Sequence, residues 1–191
     1  VLGIPRGGVE VAYHVSKMIH GELSAVVSKK LPFPGHEELA FGAVAEDGSV
    51  YLSQLSTRLD RKTIDSIIEA QVNEIAHRVR EYRNGESIPD MHNRTVIIVD
   101  DGIATGATIV PALKLCKARN AQWIAVAAPV SGNNYVSDIA ALADDVKILE
   151  QPDDFFAVSQ IYQDFHNLSD KEVIFLLEEF KREAMVARRS A

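Results

Sequence analysis

The residues with the clearest chemical potential lie in one stretch, 96–108, which reads Val-Ile-Ile-Val-Asp-Asp-Gly-Ile-Ala-Thr-Gly-Ala-Thr. Apolar residues without alternation at 96–99 describe a central parallel strand covered on both faces. Consecutive strand residues point to opposite faces, so the adjacent acids Asp100 and Asp101 cannot both be hidden on such a strand and belong at its exposed C-terminal end. Beyond them Gly102, Thr105, Gly106 and Thr108 lead into a helix, whose unpaired N–H groups and dipole favour a phosphate. Carboxylates repel phosphate. The cradle and the acids therefore make sense together only for a ligand that also offers hydroxyls or a metal ion. A phosphorylated ribose carrying Mg²⁺ meets both demands.

Other chemistries lose their support. No GxxxxGK[ST], no GxGxxG after a strand, no HExxH and no GxSxG occurs, which removes the main signals for a nucleotide triphosphatase, a dinucleotide dehydrogenase, a zinc protease and a serine hydrolase. Cys116 is the only cysteine, so neither an intrachain disulfide nor a cysteine-based zinc cage is available, as suits a reducing cytoplasm. The formal charge of −7 has the wrong sign for gripping nucleic acid by its backbone. No apolar run approaches the roughly 18 residues of a membrane span, and no signal-peptide pattern opens the chain. A length of 191 residues fits one domain.

The elements that must position this stretch follow from periodicity. Residues 1–4 read as a strand ending at Pro5-Arg6-Gly7-Gly8, and Val9, Ala12, Val15 and Ile19 recur at helical spacing up to Gly21. Residues 23–31 read as a second strand ending in Ser28-Lys29-Lys30, followed by an irregular loop forced by Pro32, Pro34 and Gly35. Asp47-Gly48 between apolar stretches predicts an antiparallel flap over 40–53. Ile64, Ile67, Ile68, Ile75, Val79 and Tyr82 form one stripe of a long helix within 57–83, ended by Asn84-Gly85. After the central strand come a helix over 109–119, a strand over 123–130, a helix over 136–143 and a strand over 146–149. Ser169 with Glu172 forms a capping box before a C-terminal amphipathic helix. The succession implies a doubly wound, mainly parallel α/β sheet with a small antiparallel flap.

With these residues in place, the chain resembles the type I phosphoribosyltransferases, whose signature of four apolar residues, two acids and a Gly/Thr loop is matched throughout 96–108. Stretches at 2–8, 34–44, 156–158 and 162–165 look like an uncharacterised subgroup of predicted phosphoribosyltransferases. The resemblance implies one such domain over 1–191, lacking its usual first helix, with a helical insertion at 54–85 and a C-terminal hood and helix at 150–191. It implies transfer of the phosphoribosyl group of 5-phosphoribosyl 1-diphosphate (PRPP) to a small nitrogenous acceptor with release of pyrophosphate, Mg²⁺ as cofactor, a homodimer and a cytoplasmic location. Some regulators with this signature bind PRPP without turning it over, which is the alternative function.

Carried onto this sequence, the resemblance gives Asp100 and Asp101 the ribose hydroxyls and, through PRPP, the metal. It gives Ala104, Thr105, Gly106, Ala107 and Thr108 the 5-phosphate. Arg6, Gly7 and Gly8 resemble the pyrophosphate loop, in which the family suggests a non-proline cis peptide. Lys29 and Lys30 resemble the basic pair before a mobile catalytic loop at 32–38. Arg6, Lys30 and Asp101 are accordingly the catalytic candidates. Ala104 stands where 6-oxopurine transferases carry an Asp, which disfavours hypoxanthine and guanine; Glu37 or Glu38 would replace it as in the adenine enzymes, unless both are surface charges. Phe155 and Phe156 are equally a core pair or a platform for the acceptor ring.

Overall fold

The computed structural model describes residues 1–133 and 137–189, with Glu37, Glu38, Arg188 and Arg189 described by their backbone alone. Eight strands and five α-helices are seen among these residues: β1 Leu2–Gly3, α1 Gly7–Ile19, β2 Ser24–Ala25, β3 Ser28–Phe33, β4 His36–Ala45, β5 Val50–Leu52, α2 Arg61–Arg83, β6 Thr95–Val99, α3 Ile109–Ala118, β7 Trp123–Val130, α4 Ser137–Leu142, β8 Asp145–Glu150 and α5 Asp170–Arg189.

The main sheet has the order β2-β1-β6-β7-β8, and every neighbouring pair is parallel. The reason β6 lacks alternation is now visible. Val96 and Ile98 share a core cluster with Ile109, Val110 and Leu113 of α3, whereas Val99 belongs to a second one with Val9 and Ala12 of α1, on which α5 packs in turn. Both faces are covered, so both must be apolar. Because β1 leads through α1 to β2 on one side and β6 leads through α3 to β7 on the other, the connections diverge between β1 and β6. A crevice opens at the carboxyl ends of those two strands.

The second predicted strand corresponds to two. Val26 and Val27 are both buried, so 23–31 reads as one apolar run, but the chain leaves the main sheet after Ala25 and enters a three-stranded antiparallel sheet, β3-β4-β5, at Ser28. The irregular loop expected at 32–38 is likewise replaced by a hairpin turning at Pro34-Gly35. Pro32 is accommodated because β3 is an edge strand and the register shifts on both sides of it, so its missing N–H costs little in the ladder. The Asp47-Gly48 turn joins β4 to β5 as expected, with Gly48 at φ +85°.

Helix α2 begins at Arg61 instead of 57, since Ser53 caps a short 3₁₀ turn and the Asp60 carboxylate caps the helix by accepting from the Thr63 N–H at 3.0 Å. Asn84 ends it in the left-handed region. Val136, predicted to start α4, lies outside the described residues. The Ser169–Glu172 capping box forms, with the Ser169 N–H donating to Glu172 Oε2 at 2.7 Å. Among the described residues, no helix is long and apolar enough to cross a membrane.

One tie holds the small sheet and α2 to the main sheet. Arg83, at the end of α2, forks onto Glu46 with Nη2 to Oε1 at 2.6 Å and Nη1 to Oε2 at 2.9 Å, and Nη1 also donates to the Ala25 carbonyl at 2.9 Å. Glu46 in turn accepts from the Val27 N–H at 3.0 Å. The pair is almost wholly buried, so removing either partner strands the other charge. Arg83→Ala or Glu46→Ala is expected to cost about 3–5 kcal/mol in urea-induced unfolding, and Arg83→Met a similar amount because it leaves Glu46 buried without a counter-charge, whereas Arg83→Met combined with Glu46→Leu, which removes both charges, should cost less.

Candidate active site

The loop between β6 and α3 is built as a cradle. Asp100 closes the sheet edge by donating its N–H to the Ala127 carbonyl at 3.2 Å, and its Oδ1 accepts from the Asp101 N–H at 3.0 Å. Ile103 is fully buried and anchors the loop base, its N–H bonded to the Val130 carbonyl at 2.9 Å. Gly106 sits at φ +74°, and a Cβ there would strike the Ile139 side chain on α4. Thr108 caps α3 without a side-chain cap bond, while its carbonyl accepts from the Ser28 hydroxyl at 2.7 Å. The Ala107 N–H points to the Thr105 hydroxyl at 3.4 Å. The N–H groups of Thr105, Gly106 and Thr108 meet no protein acceptor among the described residues. These are the donors an anion would take.

The β1–α1 loop faces this cradle across the crevice. Its Pro5–Arg6 peptide bond is cis. Gly7 packs directly on the Asp101 carboxylate, where a side chain would collide. Gly8 does not face the cleft. A Cβ on it would lie 2.7 Å from the Val99 carbonyl oxygen and 2.8 Å from Asp100 Cα, so its role is to let α1 approach β6.

Strand parity separates the two lysines. Lys30 projects from β3 over the cleft, whereas its neighbour Lys29 turns the other way, with Nζ 3.4 Å from Glu74 Oε1 on α2. The substrate-binding role expected of Lys29 is not supported by this placement. Arg6 and Lys30, both exposed, have no carboxylate within 4.0 Å among the described residues. A cleft of about 350 Å³ thus gathers Arg6, Gly7, Lys30, Asp100, Asp101, Ala104, Thr105, Gly106 and Thr108. Ala107 stays on the loop without lining it.

The remaining wall was not read from the sequence. Val158, His166, Asn167 and Leu168 line the cleft, and the Tyr162 hydroxyl donates to the Asp101 carbonyl at 2.7 Å, fastening this wall to the acid loop. Burial, with the Asp101 and Asp100 carboxylates adding to it, pushes the Tyr162 phenol up to about 12, so it remains a donor. The resemblance at 156–158 and 162–165 touches this wall without giving it a role, and no spacing marks His166, Asn167 or Leu168; the capping box follows immediately after them. Phe155 is half-buried against Gly132 and Phe156 is 88% exposed, and neither lines the cleft, so the pair is neither a buried core pair nor part of the cleft wall. Glu38 lies on β4, with its side chain outside the described residues.

Burial, reinforced by the neighbouring Asp101 carboxylate, raises the Asp100 carboxyl well above the usual carboxylate range. Oxygen donors of this kind suit Mg²⁺, but no group of three or more His, Cys, Asp or Glu able to hold a metal occurs among the described residues. The acid pair therefore fits Mg²⁺ only alongside a ligand that supplies further oxygens.

A parallel sheet of order β2-β1-β6-β7-β8 with an anion cradle, an acid pair and two cations at its switch point defines the phosphoribosyltransferase class of α/β fold. The chain belongs to the phosphoribosyl transferase domain family, whose match covers residues 1–166. Curated relatives from two strains of Mycobacterium tuberculosis, each named "Putative phosphoribosyl transferase", are 39% identical over 186 residues, or 96% of this chain. The chain spans 42% of their length. A protein of Thermus thermophilus with a solved crystal structure is 36% identical, with a TM-score of 0.78 over 94% of this chain and 86% of that one.

Two substitutions test the site's construction. Gly106→Ala is expected to lower stability by about 1–2 kcal/mol from the left-handed backbone alone, and more from displacement of Ile139, read by urea unfolding. Asp100 has a folded-state pKa above its unfolded value of about 4, so the folded state loses stability as pH rises through that interval. Asp100→Asn should therefore unfold at higher urea than wild type at about pH 8, the difference vanishing toward about pH 4.

Proposed function

We propose that the chain is the PRPP-binding part of a phosphoribosyltransferase that moves the phosphoribosyl group to a nitrogenous acceptor and releases pyrophosphate. One observation carries this reading: unbonded loop N–H groups, paired acids and two unpaired cations converge on a single cleft. In it the 5-phosphate takes the N–H groups of Thr105, Gly106 and Thr108 and the hydroxyls of Thr105 and Thr108. Asp100 and Asp101 accept from the ribose hydroxyls, and Arg6, the Gly7 backbone and Lys30 take the pyrophosphate. Mg²⁺, held beside Asp100 and Asp101 through oxygens of the ligand, would neutralise part of the diphosphate charge.

Displacement at ribose C1′ passes through a state with positive charge on the sugar and growing negative charge on the leaving pyrophosphate. The protein's work is to hold both anionic ends in fixed positions and to meet the charge that develops. Arg6 and Lys30 suit that task because, among the described residues, no carboxylate lies within 4.0 Å of either to be displaced first. The second reading, a domain that senses PRPP without turnover, is favoured by the hairpin at 32–38: a free loop closing over the leaving group is the feature that distinguishes an enzyme.

Calorimetry with PRPP and Mg²⁺ tests the binding step. Thr105→Val combined with Asp101→Asn is expected to abolish binding; unchanged affinity would overturn the reading. Arg6→Ala or Lys30→Ala should lower pyrophosphate release by about 10²–10³ while ribose 5-phosphate still binds, whereas Lys29→Ala should stay close to wild type. PRPP binding without pyrophosphate release for any nitrogenous acceptor establishes the sensor instead.

A further inference from the structure

Once the acids are assigned to ribose hydroxyls and the two cations to pyrophosphate, one titratable side chain in the described cleft wall has no part in the chemistry. It is His166. The residue lies between the Tyr162 tie to the Asp101 carbonyl and the start of α5, beside Asn167, and Leu168 next to it is 4% exposed and roots the segment in the core. Its position is fixed from both ends.

The imidazole also has a partner of defined polarity. His166 Nε2 is 3.7 Å from Glu172 Oε1, too long for a hydrogen bond to a neutral ring but within reach of an ion pair once the ring is protonated. The other oxygen of Glu172 is occupied: Oε2 accepts from both the N–H and the hydroxyl of Ser169, each at 2.7 Å. The capping box that starts α5 thereby holds a carboxylate oxygen beside the histidine. Resting on the transferase reading above, we propose that His166 takes the proton from the acceptor nitrogen during transfer and that Glu172 is its positioning residue.

The step balances. The acceptor nitrogen's lone pair forms the bond to C1′ as the C1′–O bond to pyrophosphate breaks, and that bond's electron pair leaves with pyrophosphate. The N–H proton passes to Nδ1, the imidazolium is met by Glu172 at Nε2, and the proton returns to solvent before the next turnover. Imidazole suits a transfer near neutral pH, and Arg6, Lys30, Asp100, Asp101 and Glu172 are the charged groups that share its surroundings. The assignment also narrows the substrate class. The acceptor has an N–H proton to lose, as in a neutral heterocycle or an amine, and is not a pyridine whose ring nitrogen carries none.

The test pairs PRPP calorimetry with pyrophosphate release in the presence of ammonia, imidazole, adenine, uracil or nicotinate, measured from about pH 5.5 to 9. Wild type is expected to release pyrophosphate with at least one N–H probe and not with nicotinate. His166→Gln should bind PRPP within about threefold of wild type while kcat falls about 10²–10⁴-fold and the acid limb of its pH profile flattens. Glu172→Gln, which keeps the capping box, should lower kcat while PRPP binds as tightly as in wild type, a split that a merely structural role would not give. An unchanged kcat in His166→Gln, its loss of PRPP binding together with activity, or turnover with nicotinate alone would each overturn the assignment while leaving the transferase reading in place. PRPP binding by wild type with no turnover of any probe, or failure of wild type to bind PRPP, overturns the underlying transferase reading itself.

Discussion

Adjacent parallel strands whose connections leave in opposite directions cannot both be roofed by their own helices. That constraint at β1 and β6 makes the cleft. The loop after β1 and the loop after β6 are driven to the same edge, so the Arg6–Gly7 turn and the acid-and-glycine loop face one another without any long-range recognition between them. Gly8 sets how closely they meet, because α1 rests against the backbone of Val99 and Asp100. Everything chemical in the site inherits its spacing from this junction.

The rest of the cleft is added from outside the main sheet, by two attachments of different character. The small antiparallel sheet brings Lys30, and the Arg83–Glu46 fork locks that sheet and α2 to β2 through charge that is costly to leave unpaired. The C-terminal wall is held more lightly, by the Tyr162 hydroxyl on a backbone carbonyl and by Leu168 in the core. The part that carries Lys30 is thus tied by a buried charge pair, while the opposite wall is held by the Tyr162 hydrogen bond, by Leu168 in the core and by Val158 against Gly102.

What could be read in the sequence is what is encoded locally. A strand buried on both faces, acids stopping at its end and a glycine–threonine loop before a helix declare themselves within thirteen residues, and the structure places them accordingly. The split between β2 and β3 could not be read, because Val26 and Val27 are buried whichever sheet their neighbours join. Lys29 and Lys30 looked equivalent until strand parity sent one to Glu74 and the other to the cleft. Prolines at 32 and 34 signalled a loop, though an edge strand tolerates them. Arg83 lies outside the apolar stripe of α2 and its partner is 37 residues away, so nothing local in the sequence marks its role. In the wall at 158–168 the family resemblance touches 158 and 162–165 without assigning them a task, and only geometry brings His166 to Leu168 to the cleft.

The unpaired cations of the cleft sit inside a molecule whose formal charge is −7. A polyanion approaching from a distance meets the net charge first and the two cations only at the mouth, so the long-range field opposes encounter while the short-range field favours capture. Salt separates these two effects, because exposed charges beyond a Debye length of about 8 Å at physiological ionic strength are screened before close contacts are. Added salt therefore quickens the approach of an anionic ligand to this protein even as it loosens the bound complex, and the two rates respond to ionic strength with opposite effects on affinity.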